Sequence, residues 1–379
     1  MKDPFMIKGQ RKNINILHIH SDYKFVKSSW DYKDVNFHND ILFIGKIEDV
    51  KHCKYVEEDN REGLKSVINY SNSYDIVVLY NLTLSKAYIA NRINEKLPII
   101  WRFFGTELYG RMSDIVYDEF TKKYLRKFKF VVTIKGLIKK FIFNFNKKYF
   151  CFSEREYKNA FKRINYFSCL FYEEYRFLST RFKLPKFLQL PYWNYSSDVV
   201  LGEKKGNKLL IGINPSLYNN HLAIIENLAD NKSIDKYLFL NYGSRTQYRE
   251  YIITLINKMT AFYPITRFLS SEEYIDFYRN LDALVINGHR QMGVGNIFTA
   301  FQYGVKVYLN KKNLYYYFLL ENLFLVFDID DLENDIEKKS ITLSTDQIIH
   351  NHKALKALSE KYSIGQFIST IRDITKGAI

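Results

Sequence analysis

Short apolar runs rich in β-branched residues alternate with helical stretches along most of this chain, and parallel sheets covered on both faces are what such spacing accommodates. In the first half the expected strands are Ile14 to His20, Ile41 to Gly45, Asp75 to Tyr80 and Pro98 to Phe104. Helical patterns over Arg61 to Asn72 and Ser85 to Lys96 separate them. In the second half the strand Lys208 to Asn214 leads to a helix over Asn219 to Asn231, then strand Tyr237 to Tyr242 and helix Thr246 to Phe262. Helix Ser271 to Leu281, strand Ala283 to Asn287, helix Asn296 to Tyr303 and strand Val305 to Leu309 follow. The polar stretch Pro191 to Asn207 interrupts the pattern. The expectation is therefore two tandem doubly wound α/β domains facing across a cleft, 1–195 and 196–379, the terminal helices being free to pack back on the first. A length of 379 residues suits two domains, and 47% hydrophobic content is enough to give each a core.

Charge narrows the partners. The net charge is +15, yet Phe120 to Ser153 holds ten Lys and Arg and no Asp or Glu, leaving +5 for the rest. Aromatic residues are interleaved with these cations, and Phe120, Tyr124, Phe128, Val131, Ile134, Ile138, Phe141 and Phe145 fall on one helical stripe. Cations beside rings suit an anionic membrane surface, where headgroups attract the charge and rings settle at the acyl boundary. The competing reading is a core strand from Phe128 to Ile134 followed by a helix with a solvated basic face. Nucleic acid is a third partner for such charge, but no zinc knuckle, basic zipper or RNA-recognition signature supports it. No apolar window is long enough to span a bilayer and no secretory leader opens the chain. A cytoplasmic protein peripheral to the inner face of a bacterial cell membrane is expected. Cys53, Cys151 and Cys169 have neither metal-ligand spacing nor an even count for a disulfide framework.

Ligands of doubly wound sheets bind beyond the carboxyl ends of the strands, so post-strand loops are where chemistry is sought. His20, Ser21 and Asp22 end the first strand, where Asp22 can take a proton or bind a ligand, or simply cap a turn. Trp101 to Gly110 holds Gly105, Glu107 and Tyr109 just past a buried strand. Glu107 there can serve as a base or cap a helix together with Thr106. The run Asn287 to Asn296 places Arg290, Gln291, Gly293, Val294, Gly295 and Asn296 between a strand and a helix. Its glycines admit a phosphate to the backbone, the helix start supplies N–H donors, and Arg290 can grip two oxygens. Asn214, Ser216, Asn220 and His221 form a second post-strand loop suited to phosphate. Asp328-Ile-Asp330-Asp331 looks like a divalent-ion motif but reads better as a strand end and acidic helix start. His350 and His352 are expected on the surface of a late helix. There is no P-loop, serine elbow or His-Glu-x-x-His motif.

Phe104-Gly-Thr-Glu-Leu-Tyr109, Ile211-Gly-Ile-Asn-Pro-Ser-Leu-Tyr-Asn-Asn-His221, Arg290-Gln-Met-Gly-Val-Gly295 and Gln302-Tyr-Gly-Val-Lys-Val-Tyr-Leu-Asn310 resemble glycosyltransferase family 56. That family adds 4-acetamido-4,6-dideoxygalactose from a dTDP donor to an undecaprenyl-diphosphate-linked saccharide in enterobacterial common antigen assembly. The resemblance runs from about Asn15 to Asp331, is dense from Ser271 to Leu332 and is weak over Phe120 to Tyr166. It implies a GT-B fold, with the acceptor mainly at the first Rossmann-like domain and the nucleotide sugar at the second. It also implies no metal and no cofactor, the leaving diphosphate being neutralised by amides and basic side chains. On this reading Glu107 is the acceptor base and Asp22 the second candidate, with His20, Ser21, Gly105 and Tyr109 on the acceptor side. Tyr242 and Gly243 line the nucleotide site. The resembled segment carries Asp where this chain has Glu107, and the Glu-x7-Glu pattern of many retaining enzymes is absent, so stereochemistry stays open. A UDP-sugar donor with a lipopolysaccharide or capsule acceptor is the alternative to dTDP.

Overall fold

The computed structural model describes residues 13–46 (except 24, 27, 28 and 30–32), 52–128, 154–189, 204, 206–241 and 246–377 (except 363). The described chain forms two compact units. One comprises the described residues up to Glu107, 154–189 and those from Tyr362 on; the other comprises 108–128 and the described residues from 204 to Lys361.

The first unit holds a seven-stranded parallel sheet in the order β3-β2-β1-β4-β5-β6-β7. Its strands are β1 (Ile14–His20), β2 (Phe37–Ile44), β3 (Tyr55–Glu57), β4 (Ile76–Tyr80), β5 (Ile99–Arg102), β6 (Tyr166–Ser168) and β7 (Lys186–Phe187). The register sets Ile16 against Ile76 and His18 against Val78 on one face, with Leu17 against Val77 on the other. Both faces are buried, which is why β4 reads Ile-Val-Val-Leu-Tyr without alternation. Phe367, Ile371 and Ile374 of the last helix, Ile364–Thr375, close the Ile16, Val78 and Tyr80 face. On the opposite face Trp101 stacks on Phe161 of helix Glu154–Arg163, at 5.2 Å between ring centroids.

The second unit repeats the plan with six parallel strands in the order β10-β9-β8-β11-β12-β13. These are β8 (Lys208–Ile211), β9 (Asp235–Phe239), β10 (Phe262–Ile265), β11 (Ala283–Ile286), β12 (Lys306–Leu309) and β13 (Phe327–Asp328). One core joins Leu209, Leu238 and Val285 of the sheet to Ile225, Ile252, Ile256 and Leu332 of the helices. In each sheet the strand order reverses once, at β1/β4 and at β8/β11, and the loops beyond these pairs are where this architecture holds ligands.

Several boundaries differ from the sequence expectation for local reasons. β8 stops at Ile211 because Gly212 turns the chain at φ +69°. The next helix is delayed to His221 by Asn220, also left-handed at φ 49°. The helix expected to run to Phe262 ends at Ile256. Beyond Ala261 at φ 59°, β10 forms the sheet edge, where Pro264 is tolerated for want of an outer partner. The short edge strands β3 and β7, and the short strand β6, carried too few apolar residues to be read beforehand. His352 is buried and bonds the Phe301 carbonyl at 3.0 Å, contrary to the surface expectation, while His350 is exposed. Asp328 ends β13 and starts an acidic helical segment, as expected of it.

The basic aromatic segment is described only as far as residue 128, where a helix over 119–128 packs in the second unit. Two rings of the proposed stripe are spent internally. Tyr124 and Phe128 lie 4.9 and 5.7 Å from Tyr251, and Tyr124 also meets Tyr248 at 5.1 Å. Residue 128 is helical, so the alternative strand does not begin there; its remainder, and the rest of the basic segment, lie outside the described residues. Among the described residues no helix is long and apolar enough to cross a membrane.

Candidate functional site

In the second unit the loops after β8 and β11 are built on each other through one buried asparagine. Asn220 Nδ2 donates to the carbonyls of Val116 and Asn287, both at 3.0 Å, and its Oδ1 accepts from the Asp118 amide at 3.1 Å. Asn287 returns a bond to the Asn220 carbonyl at 3.1 Å, and its Oδ1 accepts from Asn310 at 2.7 Å. Close approach explains the glycines. A side chain at Gly288 would meet Met292 Sδ at 2.4 Å and the Tyr218 carbonyl at 3.0 Å. Gly293, at φ +67°, faces Ile213 Cδ1 at 2.6 Å.

Over this base Arg290, 7% exposed, lies 4.4 Å from the Tyr218 ring centroid and 5.8 Å from that of Tyr109, and donates to the Gln291 carbonyl at 2.8 Å. Tyr218 in turn stacks on Tyr117 at 5.5 Å. The helix Val294–Gln302 begins at left-handed Gly293 with no side-chain cap. Its first amides are therefore not claimed by a capping side chain, and Val294 is buried while Gly295 is partly exposed. A guanidinium and uncapped helix amides in one post-strand loop are each suited to an anionic, diphosphate-like group.

Other residues selected from sequence have internal partners. Asn214 Oδ1 accepts from Ser216 N at 3.0 Å and Ser216 Oγ from Tyr218 N at 3.3 Å, both shaping the loop. Asn296 is held by Tyr274 and Tyr278 hydroxyls at 2.9 and 3.0 Å. His221 is fully buried 3.4 Å from Tyr248 Oη, and burial pushes its pKa down to about 3, so the ring is neutral. Tyr242 and Gly243 lie outside the described residues.

In the first unit the tips of β1, β4 and β5 carry a second constellation. His20 is buried, stacks on Tyr80 at 3.8 Å and bonds Ser29 Oγ at 2.6 Å through Nε2, while its Nδ1 has no hydrogen-bond partner. His18 bonds Tyr80 Oη and Asn39 Oδ1, at 3.1 and 3.0 Å. Burial lowers its pKa to about 4 and holds His20 well below the usual range, so both rings are neutral. Glu107 lies in the helical turn Thr106–Tyr109, after Gly105 at φ +104°. Its Oε1 accepts from Leu82 N at 3.2 Å, Phe104 N at 3.3 Å and Trp101 Nε1 at 3.4 Å. Oε2 is buried with no partner, and burial raises the carboxyl pKa despite the three donors.

Sequence reasoning missed Lys86, which is fully buried and donates to Ser21 Oγ at 2.9 Å and Asn81 Oδ1 at 3.0 Å. A lysine among Leu82, Ala87, Ile89 and Ala90, directly after a buried strand, was the available signal. Asp22 acts on this lysine as a nearby negative charge. Two cavities lie elsewhere. One of about 680 Å³ opens against β10 and helix Ser271–Arg279, and one of about 320 Å³ is lined by Asn39, His52 and Lys54; no residue selected from sequence lines either. Among the described residues no group of three or more His, Cys, Asp or Glu is arranged to hold a metal ion.

No protein-family model and no curated protein matches the chain. Solved structures do. Sucrose-phosphate synthase from Thermosynechococcus elongatus is similar with a TM-score of 0.66 at 11% identity, covering 96% of this chain and 100% of that one. HepE of Anabaena in complex with UDP-glucose gives 0.60 at 10% identity, with 96% and 100% covered. A glycosyltransferase from Rickettsia africae gives 0.61 at 12% identity, with 97% and 99% covered. With two parallel α/β sheets and such neighbours over nearly its whole length, the chain has the GT-B glycosyltransferase fold.

Proposed function

We propose that the protein is a metal-independent glycosyltransferase that moves a deoxy, acetamido sugar from a dTDP-sugar to a polyprenyl-diphosphate-linked saccharide in bacterial surface polysaccharide assembly. The observation that carries the transferase reading is the pair of loops after β8 and β11, which set Arg290 and the uncapped amides of Val294–Asn296 at the switch point of a GT-B unit. Arg290 and these amides stabilise the diphosphate as it departs. Glu107 Oε2 takes the proton of the acceptor hydroxyl. The freed oxygen pair forms the new bond to the anomeric carbon, whose bond to the diphosphate oxygen breaks with its electrons leaving on the diphosphate. Asp22 is the second candidate base; His20, Ser21, Gly105 and Tyr109 are assigned to the acceptor side, Tyr109 from the second unit, where its ring lies 5.8 Å from Arg290. Asn214, Ser216, Asn220 and His221 shape the nucleotide-sugar loop through their internal bonds. The resemblance to glycosyltransferase family 56 favours the dTDP donor and the lipid-linked acceptor. Lys123, Arg126 and Lys127, exposed on the helix over 119–128, support seating on an anionic membrane surface.

A UDP-sugar donor with a lipopolysaccharide acceptor is favoured instead by the neighbours, which include HepE with UDP-glucose and the lipopolysaccharide outer core galactosyltransferase WaaB. Thermal stabilisation by dTDP and by UDP, each with EDTA present, decides between them. A ligand bound only by the folded state raises the melting temperature. A larger shift with dTDP is expected, a larger shift with UDP supports the second reading, and no shift with either overturns both.

A further inference from the structure

Lys86 and Glu107 hold one three-residue turn from its two ends. From helix Leu84–Ala90, Lys86 Nζ reaches the Tyr80 carbonyl, Asn81 Oδ1 at 3.0 Å and Ser21 Oγ at 2.9 Å, while Glu107 Oε1 accepts from Leu82 N at 3.2 Å. The turn Tyr80–Leu82, with Asn81 at φ 55°, is thus anchored by an ammonium at one end and a carboxylate at the other. It lies at the tip of β4, beside the tip of β1, where the strand order of the first unit reverses. An ammonium offers three donors, and three acceptors meet it, so the geometry is that of a charged lysine shut away from water. The bland reading is a buried structural cation, yet it anchors the same turn as a carboxylate with one unpartnered buried oxygen, and that carboxylate's charge acts on it, which gives it more to do.

We propose that Lys86 is a positioning residue for transfer: it fixes the Tyr80–Leu82 turn on which Glu107 rests, and its buried charge keeps Glu107 ionised so that Oε2 can accept the hydroxyl proton. This rests on the reading of Glu107 as the base. The charged and titratable groups facing Lys86 are Glu107, Asp22 and Asp59, which favour its charged form, and His20, which opposes it. Asp59 is also bonded by Ser85 Oγ at 2.5 Å. His18 stands behind His20, and burial keeps both rings neutral. Burial pulls the Lys86 pKa down to about 7, with Glu107 first among the charges that resist it. Glu107 itself is governed first by burial and then by its N–H donors, so the coupling is read more clearly from the lysine's side. Below pH 7 the lysine is charged and supports the carboxylate; above it that support fades.

The test compares the full-length protein with Lys86→Met and Glu107→Gln. Carboxylate-labelled glutamate, with Glu107→Gln identifying the Glu107 signal, reports the Glu107 titration by NMR without turnover. In Lys86→Met its midpoint rises by about one pH unit, the effect of losing a nearby opposite charge. The acidic limb of the transfer rate against pH moves with it, while dTDP or UDP affinity changes less than twofold. An unmoved Glu107 midpoint in folded Lys86→Met overturns the proposal. If Lys86→Met fails to fold, the reciprocal measurement decides: the Lys86 Nζ titration falls by about one unit in Glu107→Gln, and an unmoved lysine overturns it. Undiminished transfer by Glu107→Gln, with the titrations still coupled, removes Glu107 from catalysis, and with it the positioning role, but leaves the pairing.

Discussion

Replacing Asn220 separates two things that this residue does at once. Its side chain makes three bonds, to the Val116 and Asn287 carbonyls and from the Asp118 amide. Its backbone adopts a left-handed conformation at φ 49°. Asn220→Gly keeps the conformation and removes the bonds. At about 1 kcal/mol for each buried bond the loss is about 3 kcal/mol. Asn220→Ala removes the same bonds and adds the left-handed penalty of a β-carbon, about 1 kcal/mol more. With a urea slope of about 2 kcal/mol per molar, the glycine variant unfolds at about 1.5 M lower urea and the alanine variant lower still. Far-UV circular dichroism follows the transition, and an unchanged slope licenses the conversion. Hydrogen exchange on a peptide covering β11 checks the location, since about 3 kcal/mol is roughly a hundredfold loss of protection. A glycine variant within 1 kcal/mol of the natural protein would refute the claim that this one residue ties the loop after β8 to the loop after β11 and to the segment 116–118. Equal stability of the two variants would refute the conformational part.

Glu107→Gln should abolish sugar transfer while leaving dTDP or UDP affinity within about twofold, by transfer assay and calorimetry, because Gln keeps the shape and cannot accept a proton. Arg290→Lys keeps a charge but loses the planar contact with Tyr218, and nucleotide-diphosphate affinity should fall about tenfold by the same calorimetry. Acid should destabilise the protein steeply: His18 and His221 titrate at 6.5 when unfolded but are held to about 4 and about 3 when folded. Their contribution is complete above pH 6.5 and falls by about 2–3 kcal/mol each on going to pH 4.5, so His221→Leu should flatten the melting temperature measured between those pH values. Triple replacement of Lys123, Arg126 and Lys127 by Glu should lower co-sedimentation with anionic vesicles while leaving the circular dichroism spectrum unchanged; equal sedimentation would remove the described part of the basic segment from membrane contact.

The alternation of apolar strands with helical stretches was enough to specify two doubly wound units, because a strand buried on both faces must be apolar at every position, as in β4 and β11, and that leaves a direct trace in the amino acids. The glycines of the loop after β11 stood out in the sequence as admitting a phosphate, but it is internal close approach, to Met292 and the Tyr218 carbonyl at Gly288 and to Ile213 at Gly293, that excludes side chains there. Short or edge strands such as β7 and β10 left almost no trace, because an edge buries one side only and carries polar residues and proline. Sequence placed Asn214, Ser216 and Asn220 after β8 and Asn296 at a helix start, but only folding decided that their side chains bond inward. Which acceptors a polar side chain meets depends on strands far away in the chain. Lys86 shows the same limit most sharply. Lysine reads as a surface residue from composition, and its burial follows from the register that brings Ser21, Tyr80 and Asn81 around one helix turn. The stripe of Tyr124 and Phe128 was visible as a stripe, but whether rings face lipid or protein is decided by what packs beside them, here Tyr248 and Tyr251. Periodicity sets which side chains share a face; the tertiary fold alone supplies what that face touches.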